Sequence, residues 1–154
     1  MLEVFTVREC FIAHGDHAQR ELIKRHIQDP RLMAVCEILC SSSEPVSVKR
    51  WAYEALAQIP GRRAGALTQL GLGSTHMTVR LHTMIGIAHS GIGARIDWLF
   101  PLLSDESGGI RLNALEILIC HRPRKVRAYF GALRNDKKAY IRDKVKKIEQ
   151  ISKF

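Results

Sequence analysis

The sequence predicts an all-α fold, a solenoid of about five stacked helix pairs that forms a single domain over residues 1–154. Three observations predict it. Similar segments recur every 31 residues, potential helix caps recur at the same interval, and apolar residues follow one face of a helix. No strand-like alternation of comparable length competes with these patterns.

The recurring segments align without gaps and open with a β-branched aliphatic residue and a cation. Three positions after the cation comes a small or β-branched residue. The segments are 48–52, 79–83, 110–114 and 141–145, and their cations are Lys49, Arg80, Arg111 and Arg142. Because a pair of short helices cannot bury its own apolar stripe, the repetition predicts stacked pairs.

A potential helix cap stands six residues before each cation, since Ser and Asp side chains can accept hydrogen bonds from the N–H groups of a first helical turn. These caps are Ser43, Ser74, Asp105 and Asp136. We expect a longer helix after each cap and a shorter one before it, at 32–40, 64–70, 96–103 and 126–133. The units are then 31–61, 62–92, 93–123 and 124–154.

Residues 1–30 form a degenerate N-terminal unit in this interpretation, with helices at 2–12 and 17–27 joined by a turn at 14–16. Terminal repeats face solvent on one side and are often atypical.

The period, the helix-turn-helix unit and the Asp-x5-Arg spacing of Asp105/Arg111 and Asp136/Arg142 resemble HEAT repeats, and most of all the short HEAT-like repeats of the phycobilisome lyase type. The resemblance implies that these four side chains form a ladder between adjacent turns. The repeats at 31–61 and 62–92 depart from the pattern, with Ser43 and Ser74 in place of the aspartate. Because HEAT-like proteins bind proteins, nucleic acids or cofactors, the resemblance implies a mode of use rather than one function.

Composition favours a globular protein without a membrane span. Apolar residues make up 46% and charged residues 25%, and no apolar run approaches the roughly 20 residues of a spanning helix. The N-terminus shows no leader pattern, so we expect a cytoplasmic protein. The four cysteines form no Cys-x-x-Cys pair, which favours buried free thiols over zinc binding.

The charge is asymmetric. Residues 1–121 hold twelve basic and twelve acidic residues, whereas residues 122–154 hold twelve basic and three acidic ones, so the net charge of +9 lies at one end. Such a patch could meet nucleic acid, an anionic membrane or an acidic protein. The alternative is a solvated terminal repeat. The candidate binding lysines are Lys137, Lys138, Lys144, Lys146 and Lys147.

The sequence predicts no enzyme, cofactor or metal site. No nucleophile, base and orienting acid can be assembled from it. His82 and His89 lie seven apart, and His14 and His17 three apart, but neither pair has a third ligand in a suggestive pattern. The His-Glu dipeptides with which some HEAT-like enzymes hold iron do not occur.

In the repeats at 62–92 and 93–123, the longer helices carry large aliphatic residues opposite their core stripe. In the repeat at 31–61 the same positions are Arg50, Tyr53, Glu54 and Ala57, an ordinary polar surface. Contiguous exposed apolar patches usually mark interfaces. We therefore expect a groove that takes an apolar or amphipathic segment of a partner, or of a second copy of this chain. Its lining residues are Leu81, Ile85, Leu112 and Ile119.

These observations predict a non-enzymatic protein-binding or adaptor module that uses the concave face of a HEAT-like solenoid. Two alternatives stay open. One is a nucleic-acid-binding module that uses the basic C-terminal repeat, and the other is an accessory subunit of a lyase-type enzyme.

Overall fold

The computed structural model describes residues 2–13, 15–41 and 43–151, and all regular secondary structure in these ranges is helical. The prediction of an all-α fold is thereby confirmed. The chain divides into two compact units, residues 1–93 and residues 94–154. None of the described helices is both long and apolar enough to cross a lipid bilayer.

The described residues of the first unit form six helices. The second helix of each predicted pair packs against the first, α4 on α3 and α6 on α5, and the largest helix contact joins α4 to α6. The two helices expected within residues 1–30 are present, with ends displaced by one or two residues; His14 of the expected turn lies outside the described residues. The helices are α1 (Val4–Ile12), α2 (Asp16–His26), α3 (Pro30–Leu39), α4 (Val46–Leu56), α5 (Arg62–Leu72) and α6 (Met77–His89).

The core of the first unit centres on α4. Its predicted apolar stripe is buried throughout, and the indole of Trp51 is the largest fully buried side chain. Gly86 of α6 permits the close approach of α6 to α4. A Cβ atom there would collide with the Glu54 carbonyl oxygen and would lie 2.7 Å from the Cβ of Ala57. The stripe consists of Val48, Ala52, Ala55, Leu56 and Ile59.

The second unit contains two longer helices and several short ones. The single helices expected at 96–103 and 126–133 are wrong, because both segments are broken into shorter α and 3₁₀ pieces. Pro101 disfavours an α-helix in the first segment, because it cannot donate the backbone hydrogen bond that an α-helix needs there. Gly131 lowers the helix propensity of the second segment. The elements are α7 (Gly93–Ile96), the 3₁₀ helix η1 (Asp97–Ser104), α8 (Gly108–His121), α9 (Pro123–Val126), the 3₁₀ helix η2 (Arg127–Tyr129), α10 (Phe130–Leu133) and α11 (Ala139–Ile151).

The longer helices α4, α6, α8 and α11 begin at residues 46, 77, 108 and 139, so the 31-residue spacing of the sequence reappears in their first residues. The predicted caps are wrong by two positions. The residues at the cap positions of α4, α6 and α8 are Pro45, His76 and Ser107. The serine or aspartate expected to cap each helix lies in the preceding loop instead.

In three of these loops the residue, Ser74, Asp105 or Asp136, accepts a hydrogen bond from the backbone N–H two positions later, whereas Pro45 has no N–H group to donate to Ser43. Asp and Ser favour such turns because their short side chains reach the N–H group of residue i+2. Here the bond precedes the helix rather than capping it, which explains the error in the sequence-based prediction. The bonds run from the N–H of His76 to Ser74 Oγ at 3.2 Å, from that of Ser107 to Asp105 Oδ1 at 2.8 Å, and from that of Lys138 to Asp136 Oδ1 at 2.8 Å.

Candidate binding surfaces

Three of the recurring cations fold back onto the loop before their own helix. In each case the arginine Nη1 donates to the backbone carbonyl six residues earlier. The spacing that the sequence suggested for a cap and a cation therefore reflects a bond from the arginine to the loop backbone. The bonds are Arg80 to Ser74 at 2.8 Å, Arg111 to Asp105 at 2.7 Å and Arg142 to Asp136 at 2.7 Å.

Arg111 also connects two successive loops of the second unit. Its Nε and Nη2 donate to the two carboxylate oxygens of Asp136 at 2.7 and 2.8 Å. Both side chains are almost fully buried. The Arg111 guanidinium holds the pKa of Asp136 below its usual range; burial opposes this effect and the Lys138 N–H adds to it. Two residues of the predicted ladder therefore bond to Asp136: Arg111 donates to its carboxylate and Arg142 donates to its backbone carbonyl.

Most acidic side chains of the second unit are similarly engaged. Asp97 Oδ1 accepts from Arg122 at 2.8 Å and its Oδ2 from Lys125 at 3.1 Å. Hydrogen bonds from Lys125 and Arg122 lower the pKa of Asp97. Glu149 accepts from Arg134 Nε at 3.1 Å, and the pKa of Glu149 is lowered by that contact.

The predicted basic patch divides into two kinds of lysine. Lys144 is half-buried and donates to Glu116 at 2.5 Å. The other four, Lys137, Lys138, Lys146 and Lys147, are exposed. Within the part of the chain that the structure describes, none of these four ammonium groups forms a hydrogen bond or an ion pair with an acidic side chain.

The four residues predicted to line an apolar groove are each half-buried. Leu81 and Ile85 lie on α6 in the first unit, and Leu112 and Ile119 on α8. The groove itself stays a prediction. Their partial burial places them neither in the closed core nor among the strongly exposed apolar side chains. The most exposed large ones in the first unit are Phe5, Ile38 and Leu70, which the sequence analysis did not single out.

Glu54 contradicts the expectation of a polar surface on α4, because its side chain is completely buried. Its Oε1 accepts from Arg20 Nε at 3.0 Å, and its Oε2 lies 2.6 Å from His82 Nδ1. Ala57, expected on the same surface, is also buried. The physical reason is that α6 packs over this face of α4 and Arg20 reaches it from α2.

Trp51 completes the cluster around Glu54. The indole meets the His82 ring edge-on, with centroids 4.5 Å apart. The guanidinium carbons of Arg20 and Arg50 lie 5.2 and 5.4 Å from the indole centroid. One signal could have revealed part of this cluster: His82 and Trp51 occupy equivalent positions 31 residues apart, so stacking of their helices brings them together.

The described residues provide no group of three or more His, Cys, Asp or Glu side chains that could hold a metal ion. His82 is engaged by Glu54, whereas His89 is exposed. Burial raises the pKa of the Cys36 thiol well above its ordinary value and that of Cys40 to about 12. These two thiols are therefore poor nucleophiles at neutral pH.

The comparisons with protein-family models and with curated proteins identify no family for this chain. No protein-family model matches the chain, and no curated protein matches it significantly. The structure defines the chain as an all-helical protein.

Proposed function

We propose that this protein is a non-enzymatic binding module built of HEAT-like helical repeats, and that it binds an acidic, amphipathic segment of a protein partner. One observation carries the proposal. Lys137, Lys138, Lys146 and Lys147 are exposed and form no ion pair with a described acidic side chain, in a unit where Asp97, Glu116, Asp136 and Glu149 are already paired with other cations. An uncompensated patch attracts a partner of opposite charge and accelerates its association.

The repeat interpretation is supported by features that recur at the same spacing. The four longer helices begin at intervals of 31 residues. In the last three repeats, the hydrogen bond from a backbone N–H to the serine or aspartate two residues earlier recurs at the same interval. The bond from the arginine to the backbone carbonyl recurs with it. Stacked repeats present extended surfaces on which a partner segment can lie.

The amphipathic character of the proposed partner follows from the half-buried aliphatic residues of α8, which belongs to the same unit as the four lysines. Leu112 and Ile119 retain accessible surface that an apolar side chain could cover. Apolar contacts would supply affinity, while the lysines would steer the acidic flanks of the same segment.

Nucleic acid is the second candidate, because the four lysines could equally neutralise phosphates and Tyr140 of α11 is 46% exposed beside them in the sequence. A second exposed aromatic residue, Tyr129, already stacks on Phe100 with centroids 5.2 Å apart. Single-stranded nucleic acid is usually held by several stacking side chains. The protein partner is therefore the stronger proposal.

Charge reversal with a matched control tests the proposal. The test variant replaces Lys137, Lys138, Lys146 and Lys147 with Glu. The control makes the same change at four exposed cations of the first unit, Lys24, Arg25, Arg62 and Arg63. Binding of a labelled amphipathic peptide of glutamate and leucine is measured by fluorescence anisotropy, in parallel with single- and double-stranded oligonucleotides.

We expect the test variant to lose about tenfold or more in peptide affinity and the control to lose less. Equal losses in both variants, or no peptide binding by the wild type, contradict the proposal. Tighter binding of an oligonucleotide, with a log–log salt slope of roughly −0.7 to −0.9 per phosphate contacted, would establish the nucleic-acid alternative instead.

A further inference from the structure

We propose that the first unit contains an oxyanion site at Arg50 and Trp51 of α4, which takes a carboxylate or phosphate group. The site uses none of the lysines on which the proposed function rests, so the two stand or fall separately.

Two donors on consecutive residues of α4 are buried without an acceptor. The Trp51 side chain is completely buried, and within the described residues its Nε1–H has no hydrogen-bond partner. Arg50 Nε is also buried and unpartnered. Indole and guanidinium N–H groups only donate, so the missing partner must be an acceptor. Because a buried donor without an acceptor is destabilising, a bound oxygen atom would relieve this deficit.

The charges around the indole point to a negatively charged acceptor. Arg20 and Arg50 both lie against the Trp51 ring, but Glu54 engages only Arg20 and His82. Asp16 adds a second carboxylate beside Arg20, at 3.5 Å. Arg50 has no ion pair with any described acidic residue. One guanidinium of the two is therefore left without a counter-charge.

Solvent can reach part of the Arg50 and Arg20 side chains, although the indole and Arg50 Nε are closed off. Arg50 and Arg20 are both half-buried, whereas Trp51 is not exposed at all. A guanidinium presents its N–H groups in a plane that matches the oxygens of a carboxylate or a phosphate. An oxyanion can thus be bound from solvent on the outer N–H groups of Arg50, whose guanidinium carbon lies 5.4 Å from the Trp51 ring centroid, so the buried indole senses its arrival.

The indole N–H of Trp51 is a direct reporter of the site. The chain has two tryptophans, Trp51 and Trp98, so a ¹H–¹⁵N correlation spectrum contains two indole signals, and Trp98→Phe identifies them. The protein is titrated with acetate and with inorganic phosphate, each against chloride at equal ionic strength. The test variant is Arg50→Gln, Arg50→Lys keeps the charge without the planar group, and Arg62→Gln is a matched control at an exposed arginine of α5.

We expect the Trp51 indole signal to shift saturably with at least one oxyanion and not with chloride. Arg50→Gln should weaken this binding about tenfold or more, Arg50→Lys should weaken it partly, and Arg62→Gln should leave it unchanged. Saturation by acetate alone assigns a protein carboxylate, and saturation by phosphate alone assigns a phosphorylated ligand. A linear response, the same response to chloride, or equal losses in Arg50→Gln and Arg62→Gln overturns the proposal. Unchanged circular dichroism of Arg50→Gln ensures that a loss reports binding rather than unfolding.

Discussion

Arg111 of α8 donates two hydrogen bonds, at 2.7 and 2.8 Å, to Asp136, which lies 25 residues later in the chain. The same guanidinium donates to the carbonyl of Asp105 at 2.7 Å, so one side chain ties the loop before α8 to the loop before α11. The Arg111 and Asp136 side chains are only 5% and 7% exposed, so water has little access to either side chain of the ion pair. Removal of one partner would leave the other as a buried, uncompensated charge.

Replacement of Asp136 by Ala should therefore destabilise the protein by about 3–5 kcal/mol, the range for breaking one side of a buried pair. Asp143→Ala is the matched control, because Asp143 is an exposed aspartate of α11. Urea denaturation followed by circular dichroism measures both. Equal midpoints for the two variants would show that the Arg111 contact contributes nothing.

The same ion pair predicts a dependence of stability on pH. The folded-state pKa of Asp136 lies below its unfolded value of about 3.9 because Arg111 binds the ionised form. Its stabilisation is therefore complete above the unfolded pKa and is lost as the pH falls through the folded pKa. The difference in unfolding free energy between wild type and Asp136→Asn should be constant above about pH 5 and shrink below about pH 4. A difference that stays constant down to acid pH contradicts the assignment.

The sequence predicted the spacing of the longer helices well because the signal for a helix is periodic and local. A stripe of apolar residues such as Val48, Ala52 and Ile59 marks a helix, and successive members of the stripe lie one or two turns apart. The cap positions failed by two residues because a Ser or Asp side chain forms similar bonds in a loop and at a helix start. Composition alone does not separate the two geometries.

The cluster around Glu54 escaped prediction for a different reason. A helical wheel of α4 places Glu54 opposite the core stripe, but the wheel contains no information about α2 and α6, which supply Arg20 and His82. Because these contacts join different helices, the residue pattern of α4 alone does not show them. The exposed lysines, in contrast, were predictable from the charge asymmetry, although their lack of acidic partners was visible only in the structure.

The raised thiol pKa values predict the order of cysteine alkylation. Cys36 is completely buried and burial raises its pKa, while the pKa of Cys40 is raised to about 12. Because only the thiolate reacts readily, neither should be modified by iodoacetamide in the native protein at pH 8. Cys120 is exposed and should react first. Mass spectrometry of digested samples checks the order, with urea-unfolded protein as the control in which all four react.

Gly86 should not tolerate even a methyl group. A Cβ atom there would meet the Glu54 backbone carbonyl and the Ala57 side chain, and the backbone of α4 cannot move aside locally. We expect Gly86→Ala to destabilise the protein by about 1–3 kcal/mol through overpacking. Gly109→Ala is the control, since a Cβ at Gly109 meets nothing closer than Ser107 Oγ at 3.6 Å. A melting temperature of Gly86→Ala at or above that of Gly109→Ala would contradict the packing described for α4 and α6.

Glu54 and His82 should be energetically coupled far more strongly than an exposed pair of the same unit. Their contact of 2.6 Å is buried on both sides, whereas the Arg63–Glu37 ion pair has the same 2.6 Å separation with the arginine 67% exposed. Distance is thus equal and burial differs. A double-mutant cycle of Glu54→Gln and His82→Phe isolates the first interaction, and a cycle of Glu37→Gln and Arg63→Gln isolates the second.

We expect a coupling energy of about 1–3 kcal/mol for Glu54 and His82 and about 0.2–1 kcal/mol for Glu37 and Arg63. Since Glu54 also binds Arg20, the single change Glu54→Gln should destabilise more than His82→Phe, because it weakens two contacts of the same carboxylate. Unfolding free energies are measured by urea titration at one fixed pH for all seven proteins, since the two cycles share the wild type. Coupling of equal size in the two cycles would mean that burial adds nothing to the Glu54 contact, and the cluster would then be incidental to the packing of α2, α4 and α6.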